Sequence, residues 1–411
     1  MEKLITIEEA LVIISSACKR HQTTNIELMD ALGNTLASDV IARYDMPKFD
    51  RAMLDGYAVN YEDIKFATRE QPATLVVPAT VPAGLVPSRP LRRGEAFRTM
   101  TGAPMAEGAD TLVRIEYTES SDVQENRKVD IYHTVPFGEA VQKKADDIRE
   151  GEMLLSAGTR IGPKEIALLA TQGINRITVV SQPSVGIYST GSEVVDFDQP
   201  LQYGQVYNSN TPMLSALIQS VGAEPYPGRA LKDDSELMKR ELSNALLKYD
   251  VIVTTGGVSV GDFDLVPRVF EELGVKRLFW GVYMRPGTPA FVGTYGSKLV
   301  FALSGNPPAT YVNAHVLLLP ALRLLLGQTD YKNREFPARL YRAPNKKKVK
   351  HTRFLTGKLF LHEHEWWIDV GGNQSTGSLT RFVDANALAR IEPGDELGEG
   401  QYVQVELLNE I

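Results

Sequence analysis

The chain has 411 residues, 43% of them apolar and 23% charged, with a formal net charge of −7. That length exceeds one ordinary core and divides into about two to four domains, and the acidic balance argues against nucleic acid as the main partner. A single cysteine, Cys18, excludes an intrachain disulfide framework, and the six histidines form no H-E-x-x-H motif of the kind a zinc hydrolase uses.

The first residues carry acids, Glu2, Glu8 and Glu9, where a signal peptide carries bases. No apolar run approaches the ~20 residues of a membrane span. Residues 316–326 are strongly apolar, but they are few and include Pro320 and Arg323. A cytoplasmic protein that binds no membrane is expected.

In chain order, Thr6 and Glu9 make a capping-box pattern, after which Ile7, Ala10, Leu11, Ile14 and Cys18 recur at helical spacing. Residues 27–36 read as a second short helix. From about 44 to 138 the pattern changes to short β runs at residues 75–77, 97–100, 111–115 and 129–132, punctuated by Gly and Pro. Residues 164–172 read as a helix closed by Gly173. Residues 180–327 then alternate strand and helix, with helices expected at 209–221, 234–247, up to 273 before Gly274, and 309–326. That alternation indicates a parallel sheet with crossover helices. The tail is β-rich again and suits a small barrel or sandwich. The run Lys346-Lys-Lys348 with Lys350 reads as a solvated loop between strands.

Three apolar runs in the alternating region stop at small polar loops. They are Val185–Tyr188 before Ser189-Thr-Gly-Ser-Glu193, Val251–Val253 before Thr254-Thr-Gly-Gly-Val-Ser-Val-Gly-Asp262, and Leu299–Leu303 before Ser304-Gly-Asn-Pro307. Open α/β sheets bind ligands at the carboxyl ends of their strands, and glycine lets backbone N–H groups approach an anion. The pattern points to a phosphorylated small molecule. Glu193, Asp262 and Asp264 in two of the loops are placed to hold Mg²⁺ or direct a water. Asp233 and Asp234 precede a helix, where a capping role is the simple alternative. Arg285 is either a phosphate ligand or an exposed cation. Asp50 and Asp55 in Phe49-Asp-Arg-Ala-Met-Leu-Asp-Gly56 are either turn residues or site acids, and Lys143-Lys-Ala-Asp-Asp147 reads as a surface loop with weak ion pairs.

Taken together these segments resemble the MoeA family of molybdopterin molybdenumtransferases, relatives of the gephyrin E domain. The resemblance rests on Phe49-Asp50 with Asp55-Gly-Tyr-Ala-Val59, Met100-Thr-Gly-Ala-Pro104 followed by Glu107-Gly-Ala-Asp110, and Asp146-Asp-Ile148 before Gly151. It continues with Ser189–Glu193, Gly204-Gln-Val-Tyr-Asn208, Gly256–Asp262 with Asp264, Pro286-Gly287 and Gly305-Asn-Pro307. It implies an elongated α/β multidomain subunit with a central parallel-sheet MogA-like domain, an inserted β-rich domain and a C-terminal small β-barrel. The expected divisions are 1–45 with 139–178, 46–138, 179–327 and 328–411.

The resemblance also implies a reaction. Adenylylated molybdopterin and molybdate are the substrates, Mg²⁺ is the cofactor, the adenylate is hydrolysed with release of AMP, and molybdenum stays on the dithiolene. A homodimer with its site at the subunit interface, and contact with the molybdopterin adenylyltransferase, belong to the same expectation. Family site acids fall on Asp55, Asp147, Glu193, Asp233 and Asp264, with a functional threonine at Thr101. Glu193 and Asp264 are expected around the metal, and Asp55 and Asp147 reach in from the other lobe. The expected substrate-binding residues are Thr190, Gly191, Ser192, Asn208, Gly256, Gly257, Ser259, Gly261, Asp262, Arg285, Pro286, Gly287, Ser304, Gly305, Asn306 and Pro307.

Departures from the family pattern fall mainly on cations. Gly281 stands where a lysine is often found, Arg285 and Thr288 replace the lysines of K-P-G-K-P, and His351 and Thr356 replace two arginines. Arg51-Ala-Met-Leu54 replaces Asn-Ser-Ala-Met, Ala145 replaces a glycine, and Ser304 replaces a proline. Every matched carboxylate is kept. Two alternatives therefore stand beside the insertase: a pterin or nucleotide phosphohydrolase with altered anion selectivity, and a non-catalytic molybdopterin-binding scaffold.

Overall fold

The computed structural model describes residues 4–19, 21–123, 126–258, 265–342, 350–371, 380–395 and 398–408. The chain forms two compact units: Met1–Ser38 with Ala157–Ala170 and Ile174–Ile411, and Asp39–Ser156 with Thr171–Gly173. The architecture is the expected α/β multidomain one.

The first unit is built around a six-stranded sheet. Its strands, in chain order, are Ser184–Ser189, Glu224–Pro227, Val251–Thr255, Lys276–Trp280, Phe291–Tyr295 and Lys298–Leu303. Across the sheet they run second, first, third, sixth, fifth, fourth. The first four in that order are parallel, and the last two pair antiparallel. The sheet is therefore mixed rather than all parallel, because the two-residue connection between Tyr295 and Lys298 is too short for a crossover and closes a hairpin instead.

Both faces are covered, and the period-2 alternation of side chains sorts the strands' residues between two cores. Val251, Val253, Leu299, Phe301 and Leu303 face a core that includes Ile7, Ile14, Leu214 and Leu322. Ile252, Val300 and Ala302 face a core with Leu242, Leu246, Val269 and Phe270. The N-terminal helix Ile7–Ala17 carries the full capping box, with Thr6 Oγ1 accepting from the Glu9 N–H at 3.1 Å and Glu9 accepting from the Thr6 N–H at 2.8 Å. Asp234 caps Ser235–Lys248 by accepting from the N–H groups of Glu236 and Leu237. The helical run after the third loop is continuous from Pro307 to Leu325 through a π turn at Ala314–Leu318.

The expected helix at 27–36 does not form. Thr23–Glu27 is instead a strand paired antiparallel with Arg176–Val180, and only the 3₁₀ turn Leu28–Asp30 follows. Its Thr23-Thr24 start favours extended backbone, and a partner strand far along the chain, Arg176–Val180, decides the matter. The tail strands Glu335–Arg342, Thr352–His362, Glu365–Asp369, Ala387–Ile391 and Tyr402–Leu407 close into a five-stranded barrel through the pairing of the second with the fourth. The cluster Lys346–Lys348 lies outside the described residues.

The second unit holds a six-stranded sheet of Gly56–Val59, Ala73–Val81, Glu95–Thr99, Thr111–Arg114, Thr118–Val123 and Asn126–Ile131. Tyr57, Val59, Leu75, Val113, Val129 and Ile131 form its core.

Candidate functional site

The three central parallel strands end in register: Ser189 stands beside Thr255, and Thr255 beside Leu303. The three polar loops therefore leave the sheet side by side. They are tied at once by backbone bonds, Thr190 N–H to Thr255 C=O at 2.7 Å and Gly256 N–H to Leu303 C=O at 3.0 Å.

Above them lies a cleft of about 990 Å³. Of the expected residues it brings together Thr190, Gly191, Glu193, Asn208, Asp233, Gly256, Gly257, Ser304, Gly305 and Pro307. The glycines are there because the backbone is crowded. A Cβ on Gly256 would stand 2.5 Å from the Thr190 carbonyl oxygen, and one on Gly257 2.8 Å from Val266. One on Gly191 would meet the Glu193 carboxylate at 2.8 Å.

An ordered chain of side-chain hydrogen bonds runs through the cleft lining. Asn210 Nδ2 donates to Thr255 Oγ1 at 3.3 Å, Thr255 Oγ1 donates to Ser189 Oγ at 3.2 Å, and Ser189 Oγ donates to Asn208 Oδ1 at 2.7 Å. Asn208 Oδ1 also accepts from the Thr211 N–H at 3.2 Å, so Asn208 rather than Ser209 caps the helix Asn210–Ser220. All four members of the chain are buried. Buried polar groups cost little only when paired, so this chain holds the first two strand ends and the following helix in one arrangement.

Capping and site roles divide between the two neighbouring aspartates. Asp234 is consumed by its helix, while Asp233 lines the cleft and accepts from the N–H and hydroxyl of Ser192, both at 3.0 Å. Ser192 thus braces Asp233 from outside the cleft lining. Asn306 sits at the N-cap of the helix Pro307–Asn313 and is not among the lining residues. Ser259, Gly261, Asp262 and Asp264 lie outside the described residues.

Arg285, Pro286 and Gly287 do not line the cleft. Met284–Arg285 pairs in parallel with Thr352 and Arg353 of the barrel, and Gly287 packs against Asn313. Where the family pattern has cations, Thr288 donates its hydroxyl to the Met284 carbonyl, Gly281 lies under Leu4, and His351 packs edge-on against Tyr283 at 4.7 Å. Burial, with Arg285 and Lys350 nearby, pushes the His351 imidazole below its ordinary pKa.

The second unit brings Asp55 and Thr101 into direct contact. Asp55 Oδ1 accepts from both the N–H and the hydroxyl of Thr101 at 2.7 Å. Those two bonds, backbone first, hold the Asp55 carboxyl below the usual carboxylate range. Asp147 is exposed on a loop whose backbone is pinned to residues 46 and 47. The lysines beside it reach elsewhere: Lys143 pairs with Asp50 at 2.9 Å and Lys144 with Asp45 at 3.2 Å. The expected ion-pair loop exists, with different acids.

Sequence reasoning missed Asn210, Thr255 and Arg268 in the cleft. Asn210 follows the matched Asn208 by two positions, which was the available signal. Arg268 carries no local signal.

The oxygen donors suit a hard cation. Glu193 and Asp233 are carboxylates lining one cleft, and Mg²⁺ is commonly held by one or two carboxylates plus ligand oxygens. Among the described residues no three His, Cys, Asp or Glu side chains converge, so no closed protein cage exists there. No helix among these residues is long and apolar enough to cross a membrane.

Fold and site together define an α/β protein with a glycine-lined cleft at the carboxyl ends of the parallel strands. Comparison with known proteins makes this specific. Residues 5–173 match the MoeA N-terminal region (domain I and II), 186–324 a probable molybdopterin binding domain, and 341–408 the MoeA C-terminal region (domain IV). The chain is 35% identical to a molybdopterin molybdenumtransferase of Bacillus subtilis (strain 168), over 99% of this chain and 94% of that one. It is 36% identical to one of Nostoc sp., over 92% and 86%. The crystal structure of the molybdopterin biosynthesis MoeA protein from Pyrococcus horikoshii superposes with a TM-score of 0.83 at 33% identity, covering 100% of both chains. The chain belongs to the MoeA family.

Proposed function

We propose that this chain is a molybdenum insertase, a molybdopterin molybdenumtransferase of molybdenum cofactor biosynthesis. Its substrates are adenylylated molybdopterin and molybdate. The phosphoanhydride is hydrolysed, AMP leaves, and molybdenum remains on the dithiolene sulfurs. The observation that carries this reading is the cleft over three in-register strand ends, lined by Gly191, Gly256 and Gly257 together with Glu193 and Asp233. Family membership supports the coarser activity.

In this reading the glycines let backbone N–H groups approach the phosphates, and Thr190 and Ser304 add hydroxyl donors. Glu193, with Asp264, holds Mg²⁺, which when bound supplies Lewis-acid stabilisation of charge on the phosphoryl oxygens. Asp233, oriented by Ser192, positions the attacking water. Asp55, kept ionised by Thr101, and Asp147 complete the site from the other subunit of a cytoplasmic homodimer. Contact with the molybdopterin adenylyltransferase would hand over the labile substrate without release.

The test is an assay with adenylylated molybdopterin, Mg²⁺ and molybdate, comparing wild type with Asp55→Ala. Molybdate-dependent production of active cofactor with AMP release, both lost in the variant, supports the insertase. AMP release indifferent to molybdate points to the altered phosphohydrolase, and binding without turnover to a scaffold.

A further inference from the structure

We propose that Arg268 is the oxyanion-binding cation of the cleft, gripping a tetrahedral oxyanion that is either a phosphate of the pterin substrate or molybdate itself. This inference rests on the insertase reading and names the residue that supplies its missing positive charge.

Cleft composition poses the problem. Its charged lining residues among those described are Glu193, Asp233 and Arg268, two carboxylates and one cation. A ligand bearing phosphates meets like charge from the acids, and backbone N–H groups alone provide only partial charges to offset it. The other basic candidate, Arg285, sits in a strand on the barrel and does not line the cleft.

Helix geometry aims Arg268 correctly. In the helix Leu265–Glu272, Leu265 and Arg268 are three apart, so they share one face, and both line the cleft. Val266, Val269 and Phe270 take the opposite face and are fully buried in the core. That apolar face fixes the helix's rotation, so the arginine has no other side to occupy.

Ion pairing leaves the guanidinium available. Among the described residues Arg268 pairs only with Glu272, at 3.8 Å, beyond hydrogen-bond range. Lys239 holds the same carboxylate at 2.7 Å, and this closer contact is what keeps Glu272 below its ordinary pKa. The Arg268 side chain is 78% exposed. A planar guanidinium donates two parallel N–H bonds to an oxyanion, which a lysine at that position would not reproduce.

The test uses the full chain with Arg268→Gln and Arg268→Lys. The KM for adenylylated molybdopterin is measured at saturating molybdate, and the KM for molybdate at saturating pterin substrate. Loss of one charge-assisted bidentate contact raises one KM about tenfold in Arg268→Gln, with kcat changed less than about twofold and part of the loss recovered by Arg268→Lys. A rise in the pterin KM assigns the contact to a phosphate, and a rise in the molybdate KM assigns it to molybdate. Unchanged KM values in an active enzyme overturn the proposal. If the wild type inserts no molybdenum, the insertase reading fails by itself. Calorimetric binding of AMP, inorganic phosphate and molybdate then decides on Arg268: about tenfold weaker binding of one of them to Arg268→Gln supports the oxyanion role, and equal binding of all three overturns it.

Discussion

The side-chain amide of Asn210 donates to the backbone carbonyl of Gly305, 95 positions later in the chain, at 2.8 Å. The same amide reaches Thr255 Oγ1, so one buried residue ties the loop after Leu303 to the end of the strand Val251–Thr255. Asn210→Ala strands the Gly305 carbonyl and breaks the hydroxyl chain to Ser189. The expected cost is about 1–3 kcal/mol in urea unfolding. Ligand affinity falls further than that of a surface alanine control, and equal affinity would show that the loops keep their arrangement without this bond.

Gly256 is a sharper probe of the cradle. Its φ of 95° and the 2.5 Å approach of a Cβ to the Thr190 carbonyl leave no room for alanine. Gly256→Ala is expected to destabilise the first unit by about 1–3 kcal/mol and to abolish ligand binding, because backbone rather than a flexible side chain must move. Titration calorimetry with AMP checks it.

Asp55 and Thr101 give a pH prediction. The two Thr101 hydrogen bonds favour the ionised carboxylate, so the folded pKa is depressed. The contribution to stability is present above the unfolded pKa and is lost as pH falls through the folded one. Thr101→Val removes the hydroxyl bond and keeps the N–H bond. The Asp55 titration midpoint, followed by carboxyl carbon NMR, should move up part of the way to the ordinary range; an unmoved midpoint would leave the backbone bond as the whole cause.

His315 and Glu406 form a buried pair, Nε2 to Oε2 3.5 Å, between the π turn and the last barrel strand. Burial pushes the imidazole down to about 3 and the carboxyl up to about 7, so both are neutral near pH 6. The imidazole's contribution is lost as pH falls from 6.5, its ordinary value, toward 3. The carboxyl, with its raised folded pKa, loses stability in the other direction, as pH rises from 4.5 to about 7. Glu406→Gln should flatten the alkaline limb of the unfolding midpoint against pH and leave the acid limb in place.

Ala145 occupies φ 62° where the family pattern has glycine. A left-handed alanine is strained, so Ala145→Gly is expected to stabilise the second unit by about 0.5–1 kcal/mol despite glycine's extra unfolded-state entropy. Thermal unfolding reads this directly.

Local chemistry made much of this protein legible from residue order. Thr6 with Glu9, and Asp234 before its helix, announce helix starts because a cap bonds within four residues of itself. The alternation of apolar strand, glycine-bearing loop and helix announced where the cleft would lie, and Gly191, Gly256 and Gly257 are all in it. The helix expected at 27–36 shrinks to the turn Leu28–Asp30, and the strand Thr23–Glu27 before it was not expected, because its partner, Arg176–Val180, is invisible to any local window. Register was equally hidden. Nothing near Ser189, Thr255 or Leu303 says that the three stand side by side, nor that Asn210 reaches Gly305. Those relations are long-range pairings, set when buried donors find acceptors and both faces of the sheet are covered. That is why Glu193 and Asp233, which line the cleft, lay in segments marked out by local pattern, whereas the places of Arg268 in the lining and of Arg285 outside it emerged only once the helix and strand carrying them were packed.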